Sequence, residues 1–393
     1  MATRTTTTVT TPTGRAPSAY QDAGRHADFS FNELEQAYQS CRKHKGAKPA
    51  AKAFAENAQQ NLLALYGELK DGFYRPGSSI CFIVTRPKPR EIWAADFRDR
   101  IVQHLLYNHI APRFYASFIA DSCACIPGRG TLYATRRLES KVRSITRNWS
   151  APAWYLKCDL ANFFVSIDKT VLWKLIEARV TEPWWRELAH TILFHDPRQD
   201  FELRGSAALR ELVPPHKRLL EQDVGLGLPI GNLTSQFFAN VYLDVLDQFV
   251  KHSLKARHYV RYVDDFVILH ESPQWLNAAL REITKFLPRA LNARLNPTKT
   301  ILQPIAHGVD FVGHVIKPWN TKVRRRTLRQ AVSRLLTLDD VDVFASANSY
   351  FGLVRQASCG HKDRTRLAWA VLKRGYAVNG ALTKAYKRKE QQQ

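Results

Sequence analysis

The sequence predicts an α+β fold, with short runs of β-forming residues interleaved with helical segments and a C-terminal stretch that is helical in period. Three observations carry that prediction. Residues 259–269 place Tyr, Val, Phe, Ile and Leu on either side of a turn, the pattern of a hairpin. Residues 234–252 and 274–291 space their apolar side chains at helical intervals. A chain of 393 residues that is 45% hydrophobic and 11% aromatic has material for about two or three domains with cores of their own, which excludes a wholly disordered protein.

Taken in order, residues 1–25 are Thr-rich with no acid before Asp22 and read as a disordered tail. Leu34, Ala37 and Tyr38, then Leu62, Leu63, Leu65 and Tyr66, predict two helices across 31–69, split by a Lys/Gly/Pro stretch. Strands are predicted at 80–84 and 91–93 around a basic, Pro-stiffened turn, followed by a helix over 100–115. A strand at 154–159 leads through a turn to a helix over 169–180. Charge, Pro and Gly dominate 195–223, which predicts a long loop or insertion. After the 234–252 helix, the 259–269 hairpin and the 274–291 helix comes a strand at 309–316. Residues 327–376 read as a helical bundle with Phe351 and Trp369 in its core, and 386–393 as a tail.

Charge divides the chain as sharply as periodicity does. The net charge is +23, yet residues 1–150 hold 22 basic against 12 acidic side chains, 151–316 hold 19 against 18, and 317–393 hold 17 against 5. Two basic walls around a balanced centre suit a channel that grips phosphates and keeps its carboxylates for another task. No run of about 18 apolar residues spans a bilayer, and the N-terminus lacks the apolar core of a signal peptide, so the expectation is a soluble cytoplasmic protein with no membrane contact. Six Cys in so long a chain read as free thiols. Cys123 and Cys125 have one residue between them, too few for a zinc pair, and are expected to be buried.

The chemistry concentrates at Tyr262, Val263, Asp264 and Asp265, which set two carboxylates at the tip of the predicted hairpin. Adjacent Asp residues are also ordinary turn formers. What changes the reading is Asp159, which ends a strand 105 residues earlier with Phe163 and Phe164 close behind it. Carboxylates from separate strand ends can hold two divalent ions about 4 Å apart, the arrangement for in-line nucleotidyl transfer. Hard oxygen ligands of this kind suit Mg²⁺.

At these residues the sequence resembles the reverse transcriptase family over about residues 80–316, and more weakly beyond. The resemblance implies a right-hand polymerase with fingers and N-terminal helices over 26–150, a palm with an antiparallel sheet over 151–316 and a helical thumb over 317–385. It makes Asp159, Asp264 and Asp265, with the Leu160 carbonyl, ligands to two Mg²⁺ ions, and Phe164 a steric gate favouring dNTPs. Gly227 to Gln236 resembles the second palm motif, which places Ile230 and Gln236 beside the incoming base pair. Lys299, after Pro297, stands where the family protonates departing pyrophosphate. Arg90, Lys88 and Arg100 fall where its fingers contact the triphosphate. Arg129, the primer-gripping hairpin at Gly313 and His314, and the basic run through Arg324, Arg325 and Arg326 are placed against template and primer. The implied partners are dNTPs, an RNA template and the RNA–cDNA duplex.

Within the family, the run Ile230 to Tyr242, and Lys88 to Ile92 followed by Phe97 to His104, resemble the reverse transcriptases of diversity-generating retroelements. That group, bacterial or phage-encoded, copies a template-repeat RNA with errors at adenines, together with a small basic pentameric accessory protein. Retron-like and antiphage-defence enzymes are rivals, although the Asn-Ala-x-x-His and Val-Thr-Gly signatures of retrons do not occur. From the length past Trp319 the expectation is that no ribonuclease H or endonuclease domain is present. A nucleic-acid-binding scaffold without catalysis is the reading from another class, against which the intact carboxylates argue.

Overall fold

Local chemistry sets where the helices begin. In the computed structural model, which describes residues 28–43, 45–86, 88–358 and 360–387, Ser30 accepts the Glu33 amide while the Glu33 carboxylate accepts the Ser30 amide, a reciprocal cap on the helix Phe31–Arg42. Asp96, Asp168 and Ser272 accept first-turn amides of the helices Phe97–Tyr115, Lys169–Glu177 and Pro273–Leu291. Pro49 starts a further helix inside the stretch that reads as a break, so 31–69 holds three helices, Phe31–Arg42, Pro49–Glu56 and Ala58–Lys70, rather than two. The expected tail at 1–25 and residues 388–393 of the other lie outside the described residues, while Tyr386 still pairs with Ala377.

Strand β1 (Ser79–Val84) runs antiparallel to β2 (Arg90–Ala94), with Val84 opposite Arg90. Strand β3 (Trp154–Asp159) follows the helix Thr131–Ile145. Next comes the helix Pro183–Phe194, and then a correction: the supposed loop at 195–223 contains strand β4 (Phe201–Arg204), which adds to β1 in parallel, and a short helix, Ala207–Glu211. Strand β4 is an edge of four residues with Leu203 exposed, so it lacks the alternation that marks a half-buried strand.

After the helix Leu233–Gln248, strands β5 (His258–Tyr262), β6 (Asp265–His270) and β7 (Ile301–Pro304) join β3 in an antiparallel sheet of order β5-β6-β3-β7. Leu156, Cys158, Tyr259, Phe266 and Ile268 point to one face and pack with Phe237 and Tyr242 of the Leu233–Gln248 helix and Leu276 and Ile283 of the Pro273–Leu291 helix. Tyr155, Val260, Val267 and Leu269 point to the other and meet Ala134, Leu138 and Val142 of the Thr131–Ile145 helix. Burial on both faces explains why β6 reads Phe-Val-Ile-Leu without a polar break.

The strand expected over 309–316 is a hairpin, β8 (Val309–Phe311) and β9 (His314–Lys317), because Val312 and Gly313 take φ of 42° and 90° in a two-residue turn. Strand β10 (Asn320–Val323) extends that sheet before the helices Arg325–Thr337, Asp340–Val354 and His361–Lys373 pack around Leu328, Leu335, Phe351, Leu367 and Val371. Phe351 is buried as expected, whereas Trp369 is 49% exposed and carries the Lys373 ammonium 4.4 Å from its ring centroid. Leu367, Ala370 and Val371 make the inward stripe of that helix, and Trp369 falls outside it. Cys123 is buried, but Cys125 is exposed.

One glycine joins the two parts of the fold that flank the site. Trp93 N donates to Ile230 O at 2.8 Å, and Ala95 N donates to the Asn232 side chain at 3.2 Å, so β2 lies against residues 230–232. Gly231 has φ of 131°, and a Cβ there would sit 2.8 Å from the Trp93 carbonyl oxygen. Gly128 also has positive φ, at 74°, with nothing near its Cβ direction. Gly231→Ala is therefore expected to cost about 1–3 kcal/mol beyond Gly128→Ala, because it adds a backbone collision to a φ farther from the left-handed region that an L-residue can adopt. Thermal denaturation of the two variants checks this, and equal losses would contradict the close approach.

Candidate active site

The antiparallel register sets Asp159 at the end of β3 directly opposite Asp265 at the start of β6. Tyr262 pairs with Asp265 across β5 and β6, which leaves Val263 and Asp264 as a two-residue turn. Val263 takes φ of 55° while Asp264 stays at negative φ, the sign pattern of a turn whose first central position favours Gly. A β-branched residue there carries strain of roughly 1–3 kcal/mol.

A buried clamp holds that turn in place. The Arg261 side chain, 1% exposed, donates to Asp247 at 2.8 and 2.7 Å, to Ser122 Oγ at 2.8 Å, to Asn240 Oδ1 at 3.2 Å and to Val263 O at 3.0 Å. Tyr259 OH donates to the same Asp247 carboxylate at 2.7 Å. Every direction of the guanidinium fork is thus committed, and one prong fixes the carbonyl between Tyr262 and Asp264. Sequence reasoning missed Arg261 and Asp247. The available signal was a cation inside an apolar strand and an acid on the buried face of a helix.

Like charge and burial meet at the aspartates. Burial, and then the Asp159 charge, push the Asp264 carboxyl up to about 6. Burial also raises Asp265, against the pull of Lys157, whose ammonium lies 4.0 Å from the carboxylate and donates to Asp310 O at 3.1 Å. Lys299 closes a short turn that begins at Asn296 and places its Nζ 2.5 Å from Asp159 Oδ2. The Asn296 amide also donates to the Asp159 carbonyl at 2.7 Å, a support the sequence reading did not assign. Among the described residues no three His, Cys, Asp or Glu side chains converge closely enough to hold an ion as they stand, and Lys299 and Lys157 supply the countercharge. The donor set nevertheless fits a hard divalent cation: it is all carboxylate oxygen, and the repulsion that raises Asp264 is what such a cation would relieve.

The remaining predicted residues divide into two groups. Leu160 is buried, bridging to Leu295. Phe164 is half-buried, and its carbonyl accepts the Leu228 amide at 2.8 Å, which draws the turn after Asp159 against the segment that continues to Ile230. Arg90, Lys88 and Gln236 are exposed on β2, the turn before it and the first turns of the Leu233–Gln248 helix. Arg325 and Arg326 are exposed at a helix N-terminus that holds no acid in its first turn, an end already positive by its backbone dipole. Other side chains turn inward. Arg100 Nε donates to Ala95 O at 2.7 Å, and Arg129 donates to the carbonyls of Ile119 and Ser122, both at 2.7 Å. Arg324 pairs with Asp310. Gly313 forms the hairpin turn, and His314 is fully buried with Nε2 3.3 Å from Leu353 O, burial lowering its pKa. Burial corrects the expectation that His314 faces nucleic acid, whereas Arg129 is half-buried and spends one nitrogen on those two carbonyls.

The family described as reverse transcriptase (RNA-dependent DNA polymerase) matches residues 85–316, more than half of the chain, and the chain belongs to it. Protein YkfC of Escherichia coli is 23% identical over 293 residues, covering 64% of this chain and 70% of its own length. The group II intron-encoded protein LtrA of Lactococcus lactis is 22% identical over 385 residues, covering 77% of this chain and 59% of its own length. Among solved structures, apo telomerase from Candida tropicalis, truncated from its C-terminal domain, aligns with a TM-score of 0.45 at 12% identity over 63% of this chain and 55% of that one. This chain therefore spans less than two thirds of LtrA and of that telomerase chain. Among the described residues no helix is long and apolar enough to cross a membrane.

A carboxyl whose folded-state pKa is near 6, against an ordinary 3.8, holds its proton more tightly folded than unfolded, so its ionisation removes stability as pH rises from about 4 through 6. Asp264→Asn, measured in EDTA, is expected to be more stable than the native chain by about 1–3 kcal/mol at pH 7.5, with the gain fading towards pH 4. Denaturant titration at both pH values checks the sign, and equal stability at pH 7.5 would contradict it.

Proposed function

We propose that this chain is an RNA-directed DNA polymerase that adds dNTPs to a primer 3′-hydroxyl on an RNA template. The single observation that carries the reading is the facing pair Asp159 and Asp265, with Asp264 on the adjoining turn. Asp159, Asp264 and Asp265, with the Leu160 carbonyl, would hold two Mg²⁺ ions. Those ions, when bound, activate the 3′-hydroxyl and neutralise the triphosphate and the departing pyrophosphate. Lys299 Nζ, at rest on Asp159, is the proton donor to pyrophosphate once it leaves that carboxylate. The half-buried Phe164 ring denies space to a ribose 2′-hydroxyl, and exposed Arg90 and Lys88 meet the triphosphate. Arg325 and Arg326 grip the duplex backbone.

Our finer reading is error-prone copying of a template-repeat RNA in a diversity-generating retroelement, with a small basic pentameric accessory protein. The run Ile230 to Tyr242 supports it. Ile230, tied to β2 through Trp93, and Arg90 on that strand are the positions where base selectivity would loosen. The match to LtrA favours a second reading, a reverse transcriptase of the group II intron type.

Primer extension on an RNA template tests both levels. Removing one carboxylate by Asp159→Ala or Asp264→Ala forfeits several kcal/mol of transition-state stabilisation, so extension is expected to fall about 10³-fold or more. Full activity in either variant would overturn the mechanism. Sequenced products with errors concentrated opposite template adenines support the retroelement reading, and errors spread evenly over the four bases favour the intron type.

A further inference from the structure

The basic surplus of the chain is not confined to the surfaces that face the catalytic turn. On the segment that pairs with Arg261 along the edge of β5, a single carboxylate sits among three cations. Asp121, 5% exposed, has Arg137 Nη2 at 2.5 Å, Lys141 Nζ at 2.9 Å and Lys251 Nζ at 3.5 Å. Lys251 also donates to the carbonyl of Arg257, whose side chain is exposed. Beside them His258 is driven down to about 4 by burial and then by Lys141, Arg257 and Lys251.

This is a preorganised group rather than a scatter of surface charge. Arg137 and Lys141 stand one turn apart on the Thr131–Ile145 helix, and Lys251 follows directly on the Leu233–Gln248 helix. The Asp121 segment is laced to the edge strand β5, since Arg261 N donates to Asp121 O and Cys123 N donates to Arg261 O, both at 2.9 Å. Lys141 and Lys251 are only 13% and 23% exposed, so part of their hydration is lost while one carboxylate answers three positive charges. A half-buried surplus of cations is costly alone and favourable against an external polyanion.

We infer that this cluster is a second RNA anchor, holding the phosphodiester backbone of the template RNA outside the copied duplex. The inference rests on the reading that RNA is the template. A surplus of two charges at Asp121, extended by the exposed Arg257 beside His258, matches successive backbone phosphates better than one small anion.

Binding and extension are compared on a short template–primer duplex and on the same duplex with a long single-stranded template extension. The double variant Lys251→Gln/Arg257→Gln is expected to bind the extended RNA about tenfold more weakly than the native chain, with a salt slope lower by about 1.4, the value for two single-strand phosphate contacts. On the short duplex, kcat and KM stay unchanged. Unchanged affinity and slope on the extended RNA overturn the inference, as does equal weakening on both substrates. Inorganic phosphate at millimolar concentration stabilising the native chain but not the variant, with RNA affinity unaltered, also overturns it in favour of a small-anion site. If the double variant fails to fold, Arg257→Glu, at an exposed side chain, gives the same reading. Absence of extension by the native chain on the short duplex would instead count against polymerase function, so the two failures are distinguishable.

Discussion

The register of β3 against β6 is the constraint on which the site depends. Side chains alternate between faces with a period of two, so a slip of one residue would separate Asp159 from Asp265 and send Phe266 and Ile268 to the wrong side of the sheet. Helices cover both faces, so no such slip is available without exposing a core. The Arg261–Asp247 pair extends this control to the turn. The Arg261 bond to Val263 O, a charge-assisted hydrogen bond worth about 1.5–3 kcal/mol, is of the same size as the roughly 1–3 kcal/mol of strain at Val263. That bond opposes the strain directly, and Asp264 is held in a backbone shape that its neighbour would not choose.

Repulsion among the carboxylates has a compensating logic. A folded protein keeps three acids together only where something opposes their charge, and here Lys299 and Lys157 do so from the turn after Asn296 and from the middle of β3. Both ammonium groups are close enough to be exchanged for harder cations without rebuilding the sheet. Farther out the charge changes sign: the balanced central segment gives way to cationic surfaces at the Arg325–Thr337 helix and around Asp121. The net charge of +23 thus resolves into separate cationic surfaces around an acidic centre.

Much of this was legible in the sequence, for reasons that also explain what was not. The hairpin and Asp159 stood out because β-forming runs end abruptly in acids, a local pattern. Strand β4 was hidden because Phe-Glu-Leu-Arg on a sheet edge has no periodic burial to announce it. The β-forming pattern over 309–316 concealed the turn at Val312 and Gly313, because β-branched residues rarely take positive φ, and only the family resemblance placed a hairpin there. Arg129 and His314 sit at the expected places in the chain, but position does not say which way a side chain points, and both bond inward. Arg261 was opaque because the acid that makes its burial possible lies 14 residues earlier, on a helix whose meeting with β5 is a tertiary fact.

The central claim is that the β3–β6 register builds one cation site from Asp159 and Asp265. Mn²⁺, an oxygen-seeking ion that stands in for Mg²⁺, reports this directly when its binding is followed by electron paramagnetic resonance. The account predicts that Asp159→Asn and Asp265→Asn each weaken Mn²⁺ binding about tenfold or more, a loss of roughly 1.4 kcal/mol, while Asp310→Asn, at a carboxylate paired with Arg324, leaves it unchanged. Undiminished binding in Asp159→Asn would contradict it.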